Sequence, residues 1–305
     1  MTGFDLSGLV VYVDGDYVDA SEAKISVFDH GLLYGDGVFE GIRVFDGALF
    51  RPHDHLARLR RSARALALDV PLQEHELLEV LCEVVGRSGL SDAHVRPVLT
   101  RGFGAPGLDP SRCPRPTLIV TAYPFPPLLG LEPLRVLVSS VVRKAPRSLG
   151  AHVKSLNYLD GIVAKQQASA AGMNEAVMLD ALGAVAECTS TNLFAVFGDE
   201  LATPTLRAAL PGITRLTVLE LAAELGIPAR ERELWPMELY SADAAFVTGS
   251  GAGVVPIGEI DGRPIPTVDH PVFIRLQEAY RARTRDARYL VRIGAREEEE
   301  LHERG

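Results

Sequence analysis

Apolar residues, many of them β-branched or aromatic, gather in three short early runs, LVVYVDGDYV, AKISVFD and GVFEGIRVFDGALF, broken by polar and glycine positions. These β-rich runs predict strands through about residues 10–50. Asp14-Gly15 and Asp46-Gly47 interrupt two of the runs, and an Asp-Gly pair between strand formers predicts a tight hairpin. After Pro52 the spacing lengthens. Leu56, Leu59, Ala63 and Leu66 make one helical stripe reaching about Leu68. Leu77, Leu78, Val80, Leu81 and Val84 mark a second helix over Gln73 to Arg87. Strands resume at AHVRPVLTR and TLIVTAY. Residues 124–133, PFPPLLGLEP, hold four prolines and a glycine and are the best linker signal in the chain. Beyond them LRVLVSSVV, EAVMLDA, AVAECTS, LFAVFGDELATP and AAFVTGSGAGVVPIGEI read as strands. Helices at about 158–171, 213–225 and 270–283 separate them, and in the first of these Leu159, Ile162, Val163 and Gln166 or Gln167 fall at helical spacing. Antiparallel hairpins mixed with helices predict an α+β fold rather than a doubly wound parallel sheet. The division expected is a small α/β domain over 1–123, a linker over 124–134, a larger domain over 135–294 and a frayed acidic tail over 295–305.

Composition narrows the possibilities. With 305 residues, 47% hydrophobic and 23% charged, the chain has the make-up of a globular protein with a substantial core. A net charge of −9 does not suggest a polyanion partner, so nucleic acid is not expected. The basic runs RLRRSAR and YRARTRDAR have helical spacing and read as solvated helix faces, which leaves Arg60, Arg61 and Arg64 in solvent. No apolar run approaches the ~20 residues of a membrane span, and MTGFDLSG lacks the pattern of a secretory signal. Cys82, Cys113 and Cys188 are odd in number and widely spaced, which argues for a reducing cytoplasm and against a disulfide framework. No metal site is expected. His53-x-His55 lacks further ligands and reads as an exposed helix start, and Cys188 reads as a small filler. TGSGAG and YGDGVFEG imitate glycine-rich dinucleotide loops, but no G-x-G-x-x-G stands between a strand and a helix.

The chemistry lies in two stretches. VKSLNY surrounds Lys154, one of only four lysines with Lys24, Lys144 and Lys165. From Glu187 the chain reads ECTSTNLFAVFGDELATPTLRAALPGITR to Arg215. Together they resemble the class IV aminotransferases, enzymes that use pyridoxal 5'-phosphate (PLP). FEGIR at Phe39 to Arg43 and LPGITR at Leu210 to Arg215 are similar to the branched-chain amino acid branch. The resemblance runs from about Val11 to Tyr280. It implies the two-lobed type IV PLP fold, also that of D-amino acid aminotransferases, with a small α/β lobe and a larger pseudo-barrel lobe. It further implies a homodimer or higher homo-oligomer.

Carried over position by position, the resemblance makes Lys154 the lysine that holds the cofactor covalently and then moves a proton, which requires an unprotonated amine. Glu187 matches the carboxylate at the pyridine nitrogen, and Tyr158 matches the tyrosine at the phenolic oxygen. Thr191 and Asn192 flank that site. Leu210, Gly212, Ile213 and Thr214 open a helix whose N–H groups and dipole suit the phosphate. Arg58 matches the phosphate arginine and Ser250 adds a donor. For substrate, Gly251 and Ala252 with Ser250 match the turn that binds the carboxylate, Arg96 the arginine that assists it, and Tyr34 and Phe39 the apolar pocket. The implied partners are amino acids and 2-oxo acids, chiefly leucine, isoleucine, valine and glutamate with 2-oxoglutarate. Three departures touch the pocket: His94 and Leu128 stand where many branched-chain enzymes have tyrosine, and the turn reads GSGA in place of GTAA or GTGA. D-amino acid or (R)-amine transamination, aminodeoxychorismate lyase activity and a non-catalytic PLP-binding role are the alternatives. Lys144 and Lys165 have no counterpart and are expected in solvent.

Overall fold

A computed structural model describes residues 5–124, 126, 128–130 and 132–294. The expected tail at 295–305 lies outside the described residues, as do positions 125, 127 and 131 of the expected linker. The chain divides into two compact units. One comprises Met1–Phe125, Lys154–Asn157 and Thr284–Gly305, and the other comprises Pro126–Val153 and Tyr158–Arg283.

The first unit contains β1 (Val10–Val13), β2 (Asp16–Asp19), α1 (His30–Tyr34), β3 (Gly37–Phe39), β4 (Ile42–Phe45), β5 (Ala48–Phe50), α2 (Pro52–Ala65), α3 (Glu74–Arg87), β6 (Ala93–Thr100) and β7 (Thr117–Tyr123). Its sheet runs Leu290–Arg292, β5, β4, β6, β7, β1, β2, with β3 also paired to β6. Both Asp-Gly hairpins form. Asp14 and Asp46 have φ of 49° and 47°, and Gly15 and Gly47 are also at positive φ, the conformation that a two-residue turn between right-twisted strands needs. Leu56, Leu59 and Ala63 of α2 and Leu77, Leu81 and Val84 of α3 are fully buried. The run AKISVFD is not a strand. Ile25, Val27 and Phe28 are exposed, and a turn closed by Asp29 N–H to Ser26 O leads straight into α1. Backbone pairing reaches only the end of the run, where Asp29 bridges Phe103, and a single bridge does not extend the run into a strand.

The second unit contains β8 (Leu134–Val142), α4 (Leu159–Ala170), β9 (Glu175–Leu179), β10 (Val185–Cys188), β11 (Asn192–Phe197), β12 (Glu200–Thr203), α5 (Ile213–Glu224), β13 (Ala229–Glu231), α6 (Pro236–Leu239), β14 (Ala244–Gly249), β15 (Gly253–Ile260), β16 (Arg263–Pro264) and α7 (Pro271–Arg283). The sheet order is β10, β9, β8, β15, β14, β11, β12, β13, with β16 on β15. Most pairs are antiparallel; β8 runs parallel to β9 and β15, and β12 to β13. The stretch around TGSGAG is a hairpin between β14 and β15, not a strand-to-helix nucleotide loop. One periodicity points the other way from its apolar content. On α4 it is Gly161, Ala164 and Ala168 that are buried, while Leu159, Ile162 and Val163 are 75%, 50% and 47% exposed. The helix lies on β8 and β9, and a Cβ on Gly161 would come within 2.8 Å of the Thr189 carbonyl. Only small residues permit that approach. No helix among the described residues is long and apolar enough to cross a membrane.

Candidate active site

In the first unit, the segment carrying Lys154 docks on the edge of β3. Phe39 N–H donates to Lys154 O at 3.1 Å, Leu156 N–H to Gly37 O at 2.9 Å, and Lys154 N–H to Ser62 Oγ of α2 at 3.1 Å. Gly37 is required here, because a Cβ would lie 2.7 Å from the Leu99 carbonyl. The anchored backbone sets the Lys154 amino group 4.6 Å from the centre of the Phe39 ring, and the Arg96 guanidinium lies 4.6 Å from the same ring. His94 and Arg96 stand two apart on β6, and His94 packs against Gly41, where a Cβ would be 2.5 Å from its Nε2. Burial first, and then the charges of Arg96 and Arg43, push His94 down to about 3, so its ring is neutral. Tyr34, at the end of α1, accepts a hydrogen bond from Gly107 N–H and is partly exposed.

Arg58 projects from α2 into a buried cluster. Its Nε and Nη2 donate to the two oxygens of Glu40 at 2.6 and 2.8 Å, and His55 Nδ1 lies 2.8 Å from the same carboxylate. Glu40 is fully buried. Burial would raise its pKa, but Arg58 and His55 outweigh it and hold the carboxyl well below the usual range. Burial lowers His55, so a neutral ring donates from Nδ1. His55 is therefore not the exposed helix start its sequence context suggests; only His53 is exposed. Arg61 and Arg64 are exposed as expected, whereas Arg60 is half-buried and donates to Leu72 O.

In the second unit Glu187 sits on β10, 4% exposed. Its Oε1 accepts from Arg143 Nε at 2.9 Å and Nη2 at 2.7 Å, and its Oε2 accepts from Asn192 Nδ2 at 3.1 Å and Leu210 N–H at 3.0 Å. Four donors, two from a guanidinium, favour the charged carboxylate and lock its orientation. Asn192 also donates to Leu210 O at 2.9 Å, which ties β11 to the turn before α5. That turn ends at Gly212, where a Cβ would lie 2.0 Å from Asn192 Oδ1. Gly212 caps α5 without any side-chain hydrogen bond, and Ile213 and Thr214 are buried in the first turn. Thr191 is buried beside Asn192, and the buried hydroxyl of Thr248, opposite Asn192 on β14, makes no hydrogen bond among the described residues. Ser250, Gly251 and Ala252 form the half-buried turn between β14 and β15, and the exposed Leu128 donates its N–H to Gly251 O at 3.1 Å.

Tyr158 precedes the first turn of α4, with the Lys144 amino group 5.4 Å from its ring centre. Lys144 is thus not solvated: its side chain is 15% exposed and lies 4.0 Å from Asp160 Oδ1. Lys165 is partly exposed and bonds the Asn174 carbonyl. Arg143 and Asp160 belong to none of the sequence motifs. Arg143 Nη1 donates to Asp160 Oδ2 at 2.6 Å. Burial alone would lower Arg143, but Glu187 and Asp160 override it and raise its pKa. The available sequence signal is a charged pair, Arg143-Lys144, directly after the strand LRVLVSSVV.

An amino-transferase class IV family model matches residues 37–260. The chain belongs to the class IV aminotransferases. A putative branched-chain-amino-acid aminotransferase of Methanocaldococcus jannaschii is 48% identical over 256 residues, 84% of this chain and 89% of that protein. The solved branched-chain aminotransferase of Thermoproteus uzoniensis with norvaline superposes with a TM-score of 0.89 at 37% identity, covering 93% of this chain and 99% of that one. The branched-chain amino acid aminotransferase from Thermobaculum terrenum, solved in its PLP-form, gives a TM-score of 0.84 at 27% identity, covering 95% and 100%. The α+β, two-unit fold of this class IV aminotransferase is thus the one its motifs imply.

Proposed function

We propose that this class IV aminotransferase uses PLP to transfer the amino group of branched-chain L-amino acids to 2-oxoglutarate. The observation that carries the reading is Glu187, a buried carboxylate fixed by four donors. The neighbouring α5 terminus, without a side-chain cap and floored by Gly212, fits a phosphate. When bound, PLP supplies the electron sink that lets the α-proton of an amino acid leave. Lys154 would hold the cofactor through Nζ and would there accept and return the substrate's α-proton. Glu187 would hold the pyridine nitrogen and Tyr158 the phenolic oxygen. Arg58, Ile213, Thr214 and Ser250 would bind the phosphate, with Thr191, Asn192 and Leu210 supporting them. Phe39 and Tyr34 of the first unit and Leu128 of the second would each offer apolar surface to the substrate side chain, and burying a branched aliphatic group gains ~25 cal/mol per Å². Arg96, with neutral His94 beside it, and the Gly251-Ala252 turn would each bind carboxylate. The active form is a homodimer or a larger homo-oligomer, located in the cytoplasm; the exposed Ile25, Val27, Phe28 and Phe103 supply apolar surface for such an assembly.

The test is a half-reaction followed by the visible absorbance of the PLP-loaded protein. L-leucine and L-glutamate should each bleach it, and 2-oxoglutarate should restore it. Bleaching by D-alanine or (R)-1-phenylethylamine alone would overturn the substrate assignment in favour of a sister activity. Pyruvate release from aminodeoxychorismate would make the protein a lyase.

A further inference from the structure

The charges behind Glu187 do not end with Arg143. Arg143 divides its guanidinium between two carboxylates, with Nε and Nη2 on Glu187 and Nη1 on Asp160 Oδ2. The three side chains are 4%, 5% and 14% exposed, so water screens them little. Lys144 completes the group. Its N–H donates to Asp160 Oδ2 at 3.3 Å, and its amino group faces both Asp160 Oδ1 and the ring of Tyr158. Oδ1 of Asp160 is buried and makes no hydrogen bond among the described residues. Two cations and two anions therefore meet at the end of β8, on β10 and in the first turn of α4. The next carboxylate, Glu175 on β9, is engaged by the Thr189 hydroxyl at 2.6 Å.

We propose that Asp160 is a positioning residue for amino-group transfer, sharing Arg143 and screening Lys144 so that Glu187 keeps its full charge for the cofactor. This rests on the reading that Glu187 serves the pyridine nitrogen and Tyr158 the phenolic oxygen. A carboxylate that owned Arg143 alone would be largely neutralised and a poor partner for a protonated nitrogen. Without Asp160 the group also carries a net positive charge, which disfavours every protonated form of the bound cofactor.

The experiment records the visible absorbance of the PLP-loaded protein against pH, without substrate, for the wild type, Asp160→Asn, Asp160→Glu and Lys144→Met. Cofactor affinity of the apoprotein is measured alongside. Asp160→Asn removes an anion, so the pH midpoint should fall by about one unit, the low end of what one nearby charge does. Asp160→Glu should restore most of it. Lys144→Met removes a cation and should move the midpoint upward, a change of sign that loss of structure does not produce. It also keeps the test sound if Asp160→Asn folds poorly. Midpoints that stay at the wild-type value in both charge-removing variants, with the absorbance present, overturn the role of Asp160 and leave the cofactor reading standing. A wild-type protein that takes up no PLP overturns both.

Discussion

Replacing Glu40 by Gln tests the buried cluster that holds Arg58. The wild-type carboxylate is 0% exposed and accepts hydrogen bonds from Nε and Nη2 of Arg58 and from Nδ1 of His55. Glutamine keeps the volume but offers one acceptor oxygen and removes the charge that compensates a guanidinium only 4% exposed. Breaking one partner of such a pair costs about 3–5 kcal/mol, most of it the stranded cation. For a unit of this size that lowers the melting temperature by roughly 6–20 °C. The pH dependence gives a sharper check. The Glu40 pKa is depressed on folding, so its contribution is present above the unfolded value near 4.5 and is lost as pH falls below it. His55 is lowered from 6.5, so the folded protein resists a proton that the unfolded chain takes up, and stability also falls below that pH. Thermal melts across the acid range should show the gap between wild type and Glu40→Gln shrinking below about pH 4.5. A variant as stable as the wild type at neutral pH, or a gap that stays constant into acid, would refute the reasoning.

Three further outcomes follow from the site. Gly212→Ala would bring a methyl group 2.0 Å from Asn192 Oδ1 and displace the turn before α5; PLP affinity, titrated on the apoprotein, should drop at least about tenfold, and wild-type affinity would count against this turn as the phosphate seat. Arg143→Met strands Glu187 and Asp160 without their shared cation; turnover should fall by about a hundredfold or more, with a loss of stability of about 3–5 kcal/mol measured by denaturant titration. Arg96→Gln should raise KM for 2-oxoglutarate by about tenfold or more, with a smaller effect on leucine, if this arginine holds the distal carboxylate; equal effects on both would assign Arg96 to the carboxylate that the two substrates share.

Legibility in the sequence followed the range of the interaction. The two Asp-Gly hairpins and the buried stripes of α2 and α3 depend on neighbours a few residues apart, and all appear where the pattern puts them. AKISVFD does not become a strand, and α4 forms where its spacing puts it but buries a different face, for a shared reason: a local pattern specifies a repeat, while its partner decides which face is covered. Unpaired, Ile25 and Val27 stay exposed in a loop. On α4 the close seat over β8 and β9 selects Gly161, Ala164 and Ala168, and turns the larger apolar residues outward.

The candidate site divides in the same way. Lys154, Glu187 and the Gly212 turn stand out because they sit in long motifs with fixed spacing. Arg143 and Asp160 do not, because neither belongs to a motif. Arg143 reaches Asp160 across 17 positions and Glu187 across 44, and a convergence of that kind has no local signature. His55 shows the same limit: three residues before Arg58 it looks like a solvated helix start, and only Glu40, 15 positions earlier, makes it a buried donor. Motifs thus identify the groups proposed to touch cofactor and substrate, while the charges that set their behaviour are assembled by the sheet. Specificity differences within this scaffold should therefore be sought in those supporting charges as well as at His94, Leu128 and Ser250.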